Sequence, residues 1–184
     1  IKPQNFSDIV SSVALIRPGP IKGNMVEPFI RRHRKEEEIT YLDEELKPYL
    51  EKTHGLIVFQ EQVIQIATAL GGFTPGESDR LRKALTQKKR EVELNEFRDL
   101  FLARALNRGT SPETAEAVFD LLQSFAGYGL CEAHSASFAQ TAYKTAYLRR
   151  HYPAEFFGAL LNNQPMGFYP PRIIGNEARR RGIA

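Results

Sequence analysis

The residues with the widest choice of chemistry lie in Gly127-Tyr-Gly-Leu-Cys-Glu-Ala-His134-Ser-Ala-Ser-Phe138. This stretch runs into Ala139-Gln-Thr-Ala-Tyr-Lys144-Thr-Ala-Tyr-Leu-Arg149-Arg150-His-Tyr-Pro153. A glycine-rich turn opens onto a helical sequence whose first turn offers a histidine and two serines. Unpaired backbone N–H groups and the helix dipole favour an anion at such a start, so nucleotide or nucleic-acid handling is the first expectation. Cys131 and His134 raise two further chemistries. As a zinc pair they have C-x2-H spacing, but His33, His54 and His151 supply no matching second half. As a thiol nucleophile and its base they are one Cys beside one His, a weaker reading than a small buried thiol. Phosphate binding of the P-loop kind is not supported. Neither Gly71-Gly72 nor Gly127-Tyr-Gly129 has the required spacing or a following Lys-Ser/Thr.

Metal-assisted phosphoryl chemistry gathers carboxylates around cations, and a D-x-D pair is a common local source. No D-x-D occurs, and Asp43-Glu44-Glu45 and Glu77-Ser-Asp79 read instead as acids stabilising helix starts. The basic series is more telling: Arg80, Arg82, Lys83, Lys88, Lys89 and Arg90 fall within eleven residues. On a continuous helix Leu81, Ala84 and Leu85 form the buried face, while Arg82, Thr86 and Lys89 share one side with Lys83 and Gln87 beside them. Such a row can follow phosphates. It can equally be a solvated helix end whose cations suit the dipole. Tyr143, Tyr147 and Tyr152 could stack on bases, although aromatics at helical spacing more often pack in a core.

The elements that must position these residues are nearly all helical. Phe6, Ile9, Val10, Val13 and Ala14 give Asn5 to Ile16 a helical period, ended by a rigid turn at Arg17-Pro18-Gly19-Pro20. Asn24 to His33 is a short helix with Met25, Phe29 and Ile30 inward, followed by the charged connector 31–38. Leu42 to Lys52 reads as another helix, and Gly55 to Phe59 as a short extended segment. Gln60 to Leu70 is helical and ends at Gly71-Gly72. Thr74-Pro75-Gly76-Glu77 carries a capping box with proline at the first helical position. Glu91 to Asn107, Ser111 to about Ala126, Ser135 to His151, Ala154 to Asn162 and a basic helix from Pro171 to Arg181 complete the reading. The expected class is mainly α, an irregular multi-helix domain with at most a short extended segment near 55–59.

At 184 residues the chain can bury one sizeable core, or one large and one small. Hydrophobic residues at 42% and charged residues at 26% suit a soluble globular protein. Net charge is only +3, so clustering of the cations matters more than their total. A single cysteine excludes a disulfide framework and fits a reducing compartment. No apolar run approaches the roughly 20 residues of a membrane span, and no signal peptide or lipidation signal is found. The chain starts at Ile1 without a methionine and stops after a helix-like run, so it reads as a piece of something longer.

Several of these motifs, taken in order, resemble the fingers domain of bacterial family C DNA polymerases, the alpha subunits of DNA polymerase III. They are Arg17-Pro-Gly-Pro20, Gly55-Leu-Ile-Val-Phe-Gln-Glu-Gln62, Asp79-Arg-Leu-Arg82-Lys83-Ala, Gly127-Tyr-Gly129, His134-Ser-Ala and Thr145-Ala-Tyr-Leu-Arg-Arg-His-Tyr-Pro-Ala-Glu-Phe156. The resemblance covers nearly the whole chain. Asn163-Gln-Pro-Met-Gly-Phe-Tyr169, Glu132 and Phe138 look more like the error-prone branch than the replicative one, which implies roles in repair and translesion synthesis.

The resemblance implies fingers over 1–164, with a loop and the start of a following helical segment at 165–184. It implies a DNA-directed DNA polymerase as the intact chain and no activity from this stretch alone. The magnesium ions and the catalytic aspartates belong to a palm domain that lies outside, so no catalytic residue, metal ligand or cofactor is expected here. Nucleotide contacts carry over to Arg82 and Lys83, where the family has paired arginines, and to His134. Lysine at the second position keeps the charge but loses the bidentate fork. Cys131-Glu-Ala133 stands where replicative members commonly have Asn-Lys-Ser, so Glu132 removes a cation. Lys88, Lys89, Arg90, Lys144, Arg149 and Arg150 are candidates for the DNA backbone. The implied partners are primer–template DNA, deoxynucleoside triphosphates, the palm and, through regions outside this stretch, a sliding clamp; no membrane is involved. The implied location is the cytoplasm, at the nucleoid. The other reading open to the residues is a helical nucleic-acid-binding or protein-docking module without a catalytic role.

Overall fold

Side-chain caps set several of the helix starts. In the computed structural model, which describes residues 1–22, 24–86, 91–125 and 129–183, α1 spans Phe6–Leu15 behind a reciprocal box. The Asn5 side chain accepts the Asp8 N–H at 3.0 Å, and the Asp8 carboxylate accepts the Asn5 N–H at 3.3 Å. The buried side of α1 is Asp8, Val10, Ser11, Ala14 and Leu15; Val10 and Ala14 belong to the apolar period, whereas Phe6 is 46% exposed. The expected turn at Arg17-Pro-Gly-Pro20 is a short helix, α2, Pro18–Lys22. Both prolines fall in its first turn, where an N–H has no intrahelical acceptor to lose. α3, Val26–His33, buries Phe29.

The expected helix from Leu42 to Lys52 is broken into three pieces. Asp43 caps a 3-10 turn, Glu44–Leu46, by accepting the Glu45 N–H at 2.9 Å; α4, Lys47–Leu50, follows, and then a second 3-10 turn, Glu51–Thr53. Pro48 has no N–H to give Glu44, so the Lys47 N–H bonds that carbonyl instead and tightens the turn. Phe59 is extended and makes one parallel bridge with Leu130; residues 56–58 have no regular structure, and no strand occurs among the described residues.

α5, Gln60–Ala69, packs on α6, Pro75–Thr86; α6 packs on α7, Glu91–Asn107; α7 packs on α8, Pro112–Ser124. Their shared core includes Ile66, Leu70, Leu81, Leu85, Val118 and Leu122 and is stitched by edge-on and tilted phenylalanines. Phe101 lies 6.1 Å from Phe73 and 5.6 Å from Phe119 between ring centres. Gly71 is required by that packing, since a Cβ there would come within 2.5 Å of the Phe101 ring. Ser78, Leu81, Ala84 and Leu85 form the buried side of α6, the face read from its period with Ser78 added.

The start of α6 is tied to α7. Glu77 accepts the Thr74 N–H at 2.8 Å and receives Arg104 through two nitrogens at 2.9 and 3.0 Å. The Arg104 hydrogen bond first, then the Thr74 backbone and hydroxyl, hold the Glu77 carboxyl down at about 2 against an ordinary 4.5. A depressed carboxyl contributes stability that is complete above its unfolded value and is lost as pH falls through its folded one. Glu77→Gln is therefore expected to flatten the fall of the urea midpoint between pH 4.5 and about 2. An unchanged slope would remove this pair from the account.

The chain divides into two units, Ile1–Ala136 and Ser137–Ala184. α9, Glu132–His151, starts in the first, and its later residues belong to the second with α10, Pro153–Asn162, and α11, Pro171–Arg180. The second unit has a small core of Phe157, Ile174 and Ala178.

Candidate nucleotide and nucleic-acid site

Arg82 and Lys83 lie on α6 one turn beyond Asp79, and both reach back to it. Arg82 donates Nε and Nη2 to Asp79 Oδ1 at 3.0 and 2.8 Å, and Lys83 Nζ meets Oδ2 at 2.7 Å. This is the i,i+3 and i,i+4 arrangement expected of a helix surface. Lys83 first, then Arg82, lowers the Asp79 carboxyl below its ordinary range. The two cations thus present roughly one net positive charge, with their shared counter-ion in place. Arg82 is the more enclosed, 22% exposed in its side chain against 53% for Lys83.

A longer-range bond places Arg82 in the tertiary structure. Its Nη1 donates to Gln60 Oε1 at 3.1 Å, and the other end of that carboxamide donates from Nε2 to the Gly129 carbonyl at 3.1 Å. The Gln60 N–H bonds the Leu130 carbonyl at 3.0 Å. The basic helix and the segment leading to His134 are therefore brought together on one residue that the sequence reading quoted in a motif but gave no role.

The start of α9 departs from the expected open anion seat. The Glu61 carboxylate already accepts the Glu132 N–H, at 3.0 and 3.1 Å, and Glu132 itself is held by Lys52 at 2.6 and 2.8 Å. The protein's own acid serves this N–H, so a ligand would need other groups. In α9, His134 in the first turn and Ser137 in the second are exposed, while Ser135 is fully buried with no partner for its hydroxyl among the described residues. Cys131 is exposed, against the buried thiol expected from sequence. His33 Nδ1 and His54 Nε2 meet at 3.2 Å, but no three His, Cys, Asp or Glu side chains among the described residues form a metal site. Nor is any described helix long and apolar enough to cross a membrane.

Lys88, Lys89 and Arg90, with Gly127 and Tyr128, lie outside the described residues. On α9 the remaining cations diverge. At about 100° per residue, Lys144, Arg149 and Arg150 are spread roughly evenly around the helix, so they form no single stripe. Arg149 lines an apolar groove of about 540 Å³ with Ala142, Ala146, Phe157, Leu160 and Glu177. Lys144 lies instead among Tyr143, Tyr147 and Leu148 around a shallow depression. Tyr143, Tyr147 and Tyr152 are 57, 48 and 51% exposed, which overturns the core reading of their spacing. Tyr147 meets the His151 ring at a tilt, with ring centres 4.5 Å apart.

Comparison with known proteins adds the family context. The family described as the bacterial DNA polymerase III alpha subunit finger domain matches residues 1–109. The error-prone DNA polymerase of Symbiobacterium thermophilum is 57% identical over 183 residues. Those of Burkholderia mallei and Vibrio campbellii are 46% identical over 188 residues and 47% over 183. Each match covers 100% of this chain and 17 or 18% of the relative, so the chain spans under a fifth of the length of these curated relatives.

Proposed function

This chain belongs to the finger-domain family of the bacterial DNA polymerase III alpha subunit, and from that premise we propose that it positions the incoming nucleoside triphosphate and the template for primer extension. The observation that carries the reading is the Arg82–Gln60–Gly129 tie, which gathers the basic helix and the start of α9. Arg82 and Lys83 hold the triphosphate, with His134 beside it on the first turn of α9. Their part is to bind, orient and offset charge, so that the α-phosphate meets the primer 3′-hydroxyl in line. Closure around a correctly paired base adds selectivity. Magnesium supplies the Lewis-acid chemistry from the palm; the described residues here gather no site for it, and no step is assigned to it in this chain.

The names of the relatives, all error-prone DNA polymerases, support the error-prone branch, with repair and translesion synthesis as its setting at the bacterial nucleoid. We assign residues 1–164 to the fingers and 165–184 to a loop and the start of a following helical segment; α10 ends just before that boundary, at Asn162. The palm is the intramolecular partner, and any clamp contact lies outside this stretch. Among the α9 cations, Lys144 is the one set among exposed tyrosines, which suits a backbone contact beside stacked bases. Arg149 and Arg150 are second choices, as are Lys88, Lys89 and Arg90.

The test is nucleotide titration of the intact polymerase. Lys83→Ala and His134→Ala are each expected to raise the apparent nucleotide Kd about three- to tenfold while the primer–template Kd stays constant. Unchanged nucleotide dependence with weakened DNA binding would favour a docking or DNA-binding module instead. The 184-residue chain by itself is expected to extend no primer.

A further inference from the structure

We propose that Gln60 is a positioning residue for nucleotide binding, setting where the Arg82 guanidinium sits relative to the start of α9; this rests on the assignment of Arg82 to the triphosphate. Gln60 opens α5, and its main chain is pinned by its N–H bond to Leu130 at 3.0 Å and by the adjoining Phe59–Leu130 bridge. The side chain therefore leaves from a fixed base. Its two ends cannot be exchanged. Only the carboxamide oxygen can accept from a guanidinium, and only its NH2 can donate to a carbonyl. Arg82 on one side and the Gly129 carbonyl on the other thus select a single orientation.

The bonds to Asp79 cannot do this job. Asp79 lies three residues away on the same helix, so it fixes Arg82 only to α6. Gln60 is 22 residues away on another helix and refers the guanidinium to the segment that enters α9. The seat is also filled. A Cβ on Gly129 would approach Gln60 Cγ at 2.7 Å and the Phe125 ring at 2.6 Å, so the glycine is what lets the carboxamide lie against this backbone. Of the five N–H donors of an arginine, three are taken by Asp79 and Gln60, which leaves two uncommitted among the described residues. Two donors are what a bidentate contact to phosphate oxygens uses. Without Gln60, the guanidinium keeps its charge and its Asp79 contact but loses its register, and small misplacements are costly when a ligand must be aligned for transfer.

The experiment is a double-mutant cycle in the full-length polymerase, read by single-turnover incorporation over a range of nucleotide concentrations. Gln60→Ala is expected to raise the apparent nucleotide Kd roughly tenfold, with a smaller effect on the maximal rate and none on the primer–template Kd. In an Arg82→Ala background the same change should add little, because Gln60 acts through Arg82. Full additivity, or no effect of Gln60→Ala in the wild-type background, overturns the proposal while leaving the Arg82 assignment standing. No effect of Arg82→Ala overturns the nucleotide-site reading and this inference with it. If Gln60→Ala yields no folded enzyme, Gln60→Met keeps the length and packing without either polar end and is read in the same cycle.

Discussion

Arg82→Ala in the intact polymerase is expected to lower the efficiency of single-nucleotide incorporation by roughly 10- to 100-fold, with primer–template binding nearly unchanged. The range follows from hydrogen bonds to a charged group, worth about 1.5–3 kcal/mol when lost. Two features place the effect towards the upper end. Arg82 is the more enclosed of the paired cations and is oriented from two helices, so its interaction with a phosphate is less screened than that of Lys83. Its removal also leaves Asp79 balanced by Lys83 alone, with a carboxylate standing where an anionic ligand approaches. Lys83 cannot compensate, since an ammonium offers no planar fork. The measurement is single-turnover incorporation across nucleotide concentrations, and a change of less than about twofold would remove Arg82 from the nucleotide site.

Both seats that the sequence offered to an anion are occupied by the protein's own carboxylates: Asp79 between Arg82 and Lys83, and Glu61 on the N–H that opens α9. The first pairing was legible, because an acid three and four residues before two cations meets them on any helix. The second was not, because Glu61 and Glu132 are 71 residues apart and only the fold joins them. The same divide runs through the rest of the chain. Thr74 with Glu77 and Ser111 before Pro112 marked helix starts correctly, since capping is decided within one turn. Pro18 and Pro20 were misread as a turn, because a proline forbids a helix interior and suits a first turn, and sequence alone did not tell which applied. The spacing of Tyr143 and Tyr147 identified a shared face of α9, but periodicity does not say what covers a face, and here they are exposed. Gln60 carried no signal beyond its place in a quoted motif, since its role depends on a bond to α6 and another to Gly129.

The largest structural effect is expected at Gln62, two residues further along α5. Its side chain is fully buried, with its oxygen directed at the segment just before the helix and its nitrogen at the short helical turns before that. Oε1 accepts the N–H groups of Val58 and Phe59 at 2.8 and 2.9 Å, while Nε2 donates to the Tyr49 carbonyl at 3.0 Å and to Thr53 Oγ1 at 2.7 Å. One glutamine thereby satisfies the main chain of Val58 and Phe59, and it holds the base from which Gln60 departs. Gln62→Ala strips the acceptor from two buried N–H groups at about 1–3 kcal/mol each and opens a void, for a total of roughly 3–6 kcal/mol. That is a large fraction of the 5–15 kcal/mol that typically separates a folded domain from its unfolded chain. Gln62→Glu is expected to fare little better: it keeps an acceptor for Val58 and Phe59 but sets a buried carboxylate against the Tyr49 carbonyl. Hydrogen exchange in the intact polymerase should show the Val58 and Phe59 amides losing protection first, with a lowered melting temperature. A loss of under about 1 kcal/mol would mean that water reaches these two amides, and that the segment is held by Ile57, Val58 and Phe59 packing into the core instead.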